Sequence, residues 1–142
     1  MLSENLQIYH DTFDLVKALY QYIDKVPRAL RYGEYGHTVS LALDSLDMIY
    51  VANSDKEERY WALTRFLQIT GGVRSRIRLF GELRYLSPRQ ISYLSRLIDV
   101  VQKQARGWKN SQARAAASRQ CGSAIDDDKM ELPLARAKDF GI

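Results

Sequence analysis

Apolar residues recur at alternating spacings of three and four in four separate stretches of the chain, and this spacing is the period of an amphipathic α-helix. The most regular stretch, which defines the fourth predicted helix, contains Ile91, Leu94, Ile98, Val101, Ala105 and Trp108. No stretch shows the strict alternation of apolar and polar residues that a half-buried strand requires. The chain is therefore predicted to be all-α.

The first and third predicted helices each carry apolar residues on two sides. In the first helix the main seam is Leu2, Leu6, Tyr9, Phe13, Val16, Tyr20 and Ile23, and the second is Leu15, Leu19, Tyr22 and Val26. In the third helix the main seam is Leu63, Phe66, Thr70, Val73, Ile77 and Phe80, and the second apolar side is Trp61, Ile69, Leu79 and Leu83. The second helix has one seam, formed by Val39, Leu43, Leu46 and Ile49 or Tyr50. A helix that is apolar on two sides needs two neighbours, so it belongs in a bundle or at a subunit contact.

Two capping signals indicate where the later helices begin. The sequence SDKE, Ser54 to Glu57, is typical of a capping box and predicts the start of the third helix. The sequence SPRQ, Ser87 to Gln90, predicts another, with Pro88 at the first helical position, where its missing amide hydrogen costs nothing. Short connections between four helices then predict an up-down-up-down antiparallel four-helix bundle.

The length of 142 residues fits one domain with its own core. We assign the bundle to residues 1–110 and expect residues 111–142, which have no sustained seam, to be a mostly disordered tail. An Ala-rich extension of the fourth helix is the alternative for the start of that tail. The sequence has neither an apolar run of transmembrane length nor a signal-peptide pattern, so we expect a cytoplasmic protein with no membrane partner.

Charge is distributed unevenly along the chain, whose formal net charge is +4. Residues 1–58 contain five Lys/Arg against ten Asp/Glu, a net charge of −5. Residues 59–110 contain eleven against two, Glu82 and Asp99, a net charge of +9. Residues 111–142 contain five of each sign. The third and fourth helices therefore form the basic half of the fold, which favours an acidic partner.

Seven cations of this basic half are candidate nucleic-acid ligands: Arg74, Arg78, Arg89, Arg96, Lys103, Arg106 and Lys109. Three of them, Arg89, Arg96 and Lys103, are spaced by sevens, so they share one face of the fourth helix opposite its seam. The last two candidates extend this patch, and the first two form a pair four residues apart on the third helix. Charged faces usually mix signs and serve only solubility, but this one is almost purely cationic, which favours binding of a polyanion.

The patterns that would indicate a metal or catalytic site are weak. Glu34 and His37 have the Glu-x-x-His spacing of di-metal bundles, but such a site needs a second pair and two more inward glutamates. The acidic run at residues 126–128 has no Gly-bearing calcium loop around it. No nucleophile pattern accompanies His10 or His37, and the lone Cys121 has no partner thiol within the chain. We expect no metal, no cofactor and no enzymatic activity.

Gly71 and Gly72 interrupt the third helix, at a cost of roughly 1 kcal/mol each relative to alanine. No phosphate-loop lysine follows them, so a phosphate cradle is the weaker interpretation. A close helix crossing or a local kink is favoured.

Three short motifs resemble those of a known family. PRALRYG, Pro27 to Gly33, resembles the P-[KR]-x-x-R-[YF]-[GT] turn of small bacterial four-helix-bundle proteins. LRYLSPRQI, Leu83 to Ile91, is similar to their third-to-fourth helix junction. RGW, Arg106 to Trp108, is similar to the Gly-Gly-Trp ending of one branch, the accessory variability determinant (Avd) proteins of diversity-generating retroelements. The resemblance covers about residues 5–110.

The resemblance implies a positively charged pentameric barrel of bundles that binds template RNA or an RNA·DNA hybrid and associates with the retroelement's reverse transcriptase. Catalysis would then belong to that partner. The resemblance also implies that Pro27 ends the first helix, that Arg28 and Arg31 lie at the turn as partner contacts, and that Tyr32 and Gly33 set the entry into the second helix. Two functional classes stay open: an RNA- and reverse-transcriptase-binding accessory factor, and a self-assembling scaffold or adaptor with no nucleic-acid role.

Overall fold

The computed structural model describes Leu2 and residues 5–120. In chain order the elements are α1 (Gln7–Gln21), a 3-10 turn (Ile23–Lys25), the single-turn helix α2 (Arg28–Arg31), α3 (Glu34–Ser54), α4 (Arg59–Glu82) and α5 (Pro88–Gln120). The described residues contain no strand. None of their helices combines the length and the apolar character that crossing a bilayer requires.

The four long helices pack as a closed ring, in which α1 and α4 each contact both α3 and α5. One core cluster contains Leu19 from the end of α1 and Tyr35 from the start of α3, together with the end of α4 and the start of α5. A second cluster contains Ile8 from the start of α1 and Ile49 from the end of α3. Successive helices therefore run in opposite directions. The predicted all-α, up-down-up-down bundle is confirmed for the single chain.

Tyr35 ties the start of α3 to the end of α1. Its side chain is fully buried, and its hydroxyl donates a hydrogen bond of 2.5 Å to the carbonyl oxygen of Leu19. Its ring lies 5.4 Å from that of Phe80, measured between centroids. Burial, and to a smaller extent the neighbouring Tyr22, raises the pKa of Tyr35 far above the ordinary value for tyrosine. The hydroxyl therefore stays protonated and able to donate even at alkaline pH, where an exposed tyrosine ionises.

The turn between α1 and α3 differs from the predicted one. Helix α1 stops at Gln21, and Pro27 serves as the N-cap of α2. The prediction that Pro27 ends the first helix is therefore wrong. A proline restricts only the residue directly before it, so its influence reaches Val26, and α1 has already given way to the 3-10 turn Ile23–Lys25. Val26 is extended, with ψ of 140°, and is almost fully buried in the core. The predicted entry into the next helix is confirmed, since Gly33 is the N-cap of α3.

The predicted main seam of the first helix is wrong in part. Val16 is buried and Leu6, Tyr9 and Ile23 pack against the core, but its other members face outward. Phe13 and Tyr20 are 45% and 51% exposed, whereas Leu15 and Leu19 of the second seam are fully buried. The pattern misled because a polar residue, Thr12, occupies a core position. Its hydroxyl donates to a carbonyl one turn earlier, at 2.7 Å, so its burial leaves no unpaired polar group.

Helix α3 also leaves part of its predicted seam exposed. Leu43 and Tyr50 are 39% and 62% exposed, while Val39 and Ile49 are buried. The small side chain of Ala42 takes a core position in their place. Because α1 and α3 pack against each other, the bundle carries exposed apolar side chains on two neighbouring helices.

Helix α4 buries all six residues of the seam predicted for the third helix, which confirms that seam. Its start differs from the prediction. Ser54 is the last residue of α3, and its hydroxyl donates to the Tyr50 carbonyl at 2.7 Å. The carboxylate of Asp55 accepts from the amides of Glu57 and Glu58, at 2.9 and 3.4 Å. The predicted capping box at Ser54 is therefore wrong, because the aspartate one residue later supplies the acceptor.

The close helix crossing predicted at Gly71 and Gly72 lies elsewhere on α4. A Cβ atom at Gly71 would lie 3.9 Å from Nε2 of Gln102, an ordinary contact. A Cβ atom at Gly81 would lie only 3.0 Å from Cγ1 of Ile91 on α5. Gly81 is therefore the glycine that allows α4 and α5 to pack closely.

Helix α5 begins at Pro88, as predicted, and continues to Gln120, ten residues beyond the expected end of the bundle. Gln112 still touches the bundle, since its Nε2 atom donates to the Lys56 carbonyl at 3.3 Å. Residues 113–118 are exposed. The start of the predicted tail is thus the helical extension given as the alternative, and residues 121–142 lie outside the described part of the chain.

Candidate nucleic-acid interface

A cap at Ser87 and Gln90 marks the start of α5, the helix that carries the cationic face. The amide of Ser87 donates to Oε1 of Gln90 at 2.8 Å, and the amide of Gln90 donates to Oγ of Ser87 at 3.2 Å. This reciprocal pair confirms the predicted capping box and fixes where the helix starts. The apolar seam of α5 then determines which of its side chains face the core and which face solvent.

Arg89, Arg96 and Lys103 lie on the exposed side of α5, whereas Leu94 and Ile98 of its seam are fully buried. The guanidinium carbon of Arg96 lies 6.0 Å from the ring centroid of Tyr93. The side chains of Arg89 and Lys103 form no hydrogen bond or ion pair with any residue that the structure describes. These two cations are therefore free to contact a ligand.

Arg74 and Arg78 occupy the α4 side of the same region, and both face a carboxylate. Arg74 donates to Oδ1 of Asp99 on α5 at 2.5 Å and to Oε1 of Gln102 at 3.3 Å. Nε of Arg78 lies 3.7 Å from Oε1 of Glu82, and both side chains are largely exposed. The two carboxylates of residues 59–110 thus both pair with cations of α4, and Arg89, Arg96 and Lys103 of α5 have no carboxylate partner among the described residues.

The last two candidates separate in the structure. Arg106 is exposed and forms no side-chain hydrogen bond or ion pair among the described residues. Lys109 is half-buried, with Nζ 5.0 Å from the ring centroid of Tyr60 on α4. The expectation that Lys109 extends the open patch is therefore wrong, because this position of α5 turns toward α4 and the ammonium packs on an aromatic ring.

Arg84 is a cation of this region that the sequence pattern did not reveal. It lies between α4 and α5 with φ of 65°, in the left-handed conformation that usually selects glycine. The turn satisfies the end of α4, since the amides of Arg84 and Tyr85 donate to the carbonyls of Gly81 and Phe80 at 3.0 and 2.9 Å. An exposed cation is thus present where glycine would cost less conformational energy.

The two arginines of the turn before α3 have different surroundings. Arg31 is half-buried and donates from Nε to the Val26 carbonyl at 2.9 Å and from a terminal nitrogen to the Asp24 carbonyl at 3.2 Å. Its role is therefore to close the turn. Arg28 is exposed, and its side chain has no hydrogen bond or ion pair among residues 5–120. Of the two, only Arg28 remains available to a partner.

Glu34 and His37, the pair with di-metal spacing, are both exposed near the start of α3. Within the described residues no group of three or more His, Cys, Asp or Glu side chains is placed to hold a metal ion. Asp126 to Asp128 and Cys121 lie outside those residues.

The fold and this face together define a small four-helix bundle with one cationic helix surface. Comparisons of the chain with protein-family models, with curated proteins and with solved structures found no match in any of the three.

Proposed function

We propose that this protein is a non-catalytic nucleic-acid-binding accessory factor that associates with a retroelement reverse transcriptase and supports cDNA synthesis in mutagenic retrohoming. Its nucleic-acid ligand is the template RNA or the RNA·DNA hybrid formed on it. The observation that carries the proposal is the exposed face of α5, where Arg89, Lys103 and Arg106 have no partner among the described residues. The resemblance to Avd proteins supplies the identity of the polymerase partner. Catalysis belongs to that partner, and the complex acts in the cytoplasm.

Phosphate contacts account for this kind of binding. Exposed Lys and Arg side chains bind phosphate oxygens and release condensed counterions, so affinity falls steeply as salt increases. Such contacts orient the protein on the nucleic acid and carry no direct sequence information. We therefore expect RNA binding that depends strongly on salt and weakly on sequence.

The test is a salt titration of RNA binding by fluorescence anisotropy, with Arg89, Arg96 and Lys103 replaced together by glutamine. Loss of three phosphate contacts should reduce the slope of log affinity against log salt by about 2 on single-stranded RNA, at about 0.7 for each contact. The matched control replaces Lys17, Lys25 and Lys56, which are exposed on other elements, and so changes the net charge equally.

The control should retain a larger slope than the triple variant of α5. Equal slopes for the two triple variants would show that net charge, and not this face, governs binding. A wild-type protein that binds no RNA at low salt would refute the proposed function.

The reverse transcriptase contact is tested separately at the turn before α3. Co-expression with a reverse transcriptase encoded beside this gene should yield a complex, and Arg28→Gln should weaken that complex without lowering the melting temperature. Arg31→Gln, in contrast, removes the two bonds that close the turn and should lower the melting temperature. Failure of the wild-type pair to co-purify would remove the polymerase from the proposal.

A self-assembling scaffold or adaptor with no nucleic-acid role is the second candidate. The observation that favours it is the exposed apolar surface of α1 and α3, which includes Phe13, Tyr20, Leu43 and Tyr50. Such side chains suit a contact between copies, and the family resemblance suggests a pentamer. Light scattering after size exclusion should give a ring-like oligomer, and Phe13→Ser with Tyr20→Ser should dissociate it. A monodisperse wild-type monomer at micromolar concentration would exclude assembly.

A further inference from the structure

The exposed side of α5 carries apolar side chains as well as cations, and the two kinds alternate. Arg89, Tyr93, Arg96, Val100 and Lys103 follow one another at alternating spacings of four and three, so they form one row along the helix. All five are exposed. At 1.5 Å per residue the row is about 21 Å long. Cations and apolar side chains therefore alternate along a single exposed line.

Tyr93 is the aromatic member of this row, and the core does not need it. The residue is 40% exposed, while the buried seam of α5 is complete without it through Leu94 and Ile98. Arg96 lies over the ring, with its guanidinium carbon 6.0 Å from the centroid, and Arg89 is one helical turn away on the other side. Exposed aromatic rings and arginine guanidinium planes are the surfaces on which unpaired bases stack, and this row offers both.

We propose that Tyr93 stacks unpaired bases, so that this face prefers single-stranded RNA to a duplex. The inference rests on the proposed function, since it assumes that the cations of α5 bind phosphates. In a duplex the bases already stack on one another and present only their edges, so Tyr93 and Val100 would have no partner there. A single strand offers both a phosphate for each cation and an open base face for the ring. Stacking of this kind tolerates any base, in agreement with weak sequence preference.

The same spacing also occurs in seams between paired helices, so a second copy of the chain is the competing occupant. Cations occupy three of the five positions, Arg89, Arg96 and Lys103. Pairing of this row with its own copy would bring like charges together across the seam, which opposes association. The charge of the row therefore favours a polyanion over self-pairing.

The experiment compares an unstructured oligouridine with a duplex RNA of equal length, using anisotropy at fixed low salt. Tyr93→Ala should weaken binding of the single strand by about 5- to 150-fold, the range reported by alanine substitution for one stacked base. Tyr93→Phe should retain binding, because it keeps the ring. Binding of the duplex should not change with either variant. The salt slope on the single strand should stay the same for Tyr93→Ala, since no charge is removed.

Tyr32→Ala is the matched control, because Tyr32 is 87% exposed at the end of α2 and belongs neither to the row nor to the exposed apolar surface of α1 and α3. If Tyr93→Ala binds the single strand as tightly as wild type, or weakens both ligands equally, the stacking role is refuted while the proposed function stands. If the wild-type protein binds neither RNA at low salt, the proposed function fails and the inference fails with it.

Discussion

Replacement of Asp99 by asparagine is predicted to strengthen RNA binding, because Asp99 neutralises part of the cationic face. Asp99 is the only acidic residue between Pro88 and Gln120. Its carboxylate accepts from Arg74 of α4 at 2.5 Å. The substitution raises the net charge by one and releases the Arg74 guanidinium for a phosphate.

The magnitude follows from the exposure of the pair. The side chains of Arg74 and Asp99 are 37% and 66% exposed, so solvent screens their interaction. Ion pairs at such exposure stabilise a protein by about 0–1 kcal/mol, so the free energy of unfolding should fall by no more than about 1 kcal/mol. One additional phosphate contact should steepen the slope of log affinity against log salt by about 0.7 on single-stranded RNA. The variant thus separates binding from stability.

The assay is the salt titration by anisotropy, run beside urea unfolding. Asp44→Asn is the matched control, because Asp44 is exposed on α3, which packs chiefly against α1 and α4, and the change in net charge is the same. The reasoning is refuted if Asp99→Asn binds RNA no better than wild type at low salt. It is also refuted if the control strengthens binding to the same extent, because the effect would then belong to net charge alone.

Three further substitutions test the structure at single positions by urea unfolding. Gly71→Ala should raise the free energy of unfolding by about 1 kcal/mol, whereas Gly81→Ala should lower it by about 1–3 kcal/mol through overpacking against α5. A change of the same sign for both variants would contradict the assignment of the close α4–α5 contact to Gly81. Arg84→Gly should raise the free energy of unfolding by about 1 kcal/mol and weaken RNA binding. An unchanged or lower free energy of unfolding would refute the conformational cost assigned to Arg84. Tyr35→Phe should lower the free energy of unfolding by about 1–3 kcal/mol, because the Leu19 carbonyl loses its donor. Since burial raises the pKa of Tyr35 in the folded state, wild-type stability from this group is complete below about pH 10 and is lost above it, and the variant should lack that part of the alkaline loss.

The sequence predicted the architecture well where the apolar period was long or where a cap marked the start of a helix. The seam of α4 keeps the helical period without a break, and the start of α5 at Pro88 is fixed by a cap between residues three apart in the chain. The seam of α1 was predicted only in part. Large aromatic side chains such as Phe13 extended the apolar pattern onto the exposed side of the helix. The pattern missed the core position of Thr12 because this residue is polar, but its hydroxyl donates to a backbone carbonyl within the same helix.

The candidate site was predictable in its cations but not in their pairing. Spacing alone placed Arg89, Arg96 and Lys103 on one side of α5, because positions seven apart always share a face. Whether a cation is free depends on the neighbouring helix, and the sequence does not give the register between helices. The contact of Lys109 with α4 could therefore not be predicted from the sequence. The exposed row that includes Tyr93 can likewise be recognised only once the buried side of α5 is known.

That register is itself fixed by polar groups at the contact between α4 and α5. Gln102 is nearly buried, and its amide nitrogen donates to the hydroxyl of Thr70 at 3.1 Å, while its oxygen accepts from Arg74. A shift of one helical turn, about 5.4 Å, would leave the Gln102 amide buried without these partners. An unsatisfied buried polar group of this kind costs about 1–3 kcal/mol, which is large enough to select one register over its neighbours. The same network that aligns the two helices therefore places Arg74 beside Asp99. The exposed cations Arg89 and Lys103 of α5 have no carboxylate partner among the described residues.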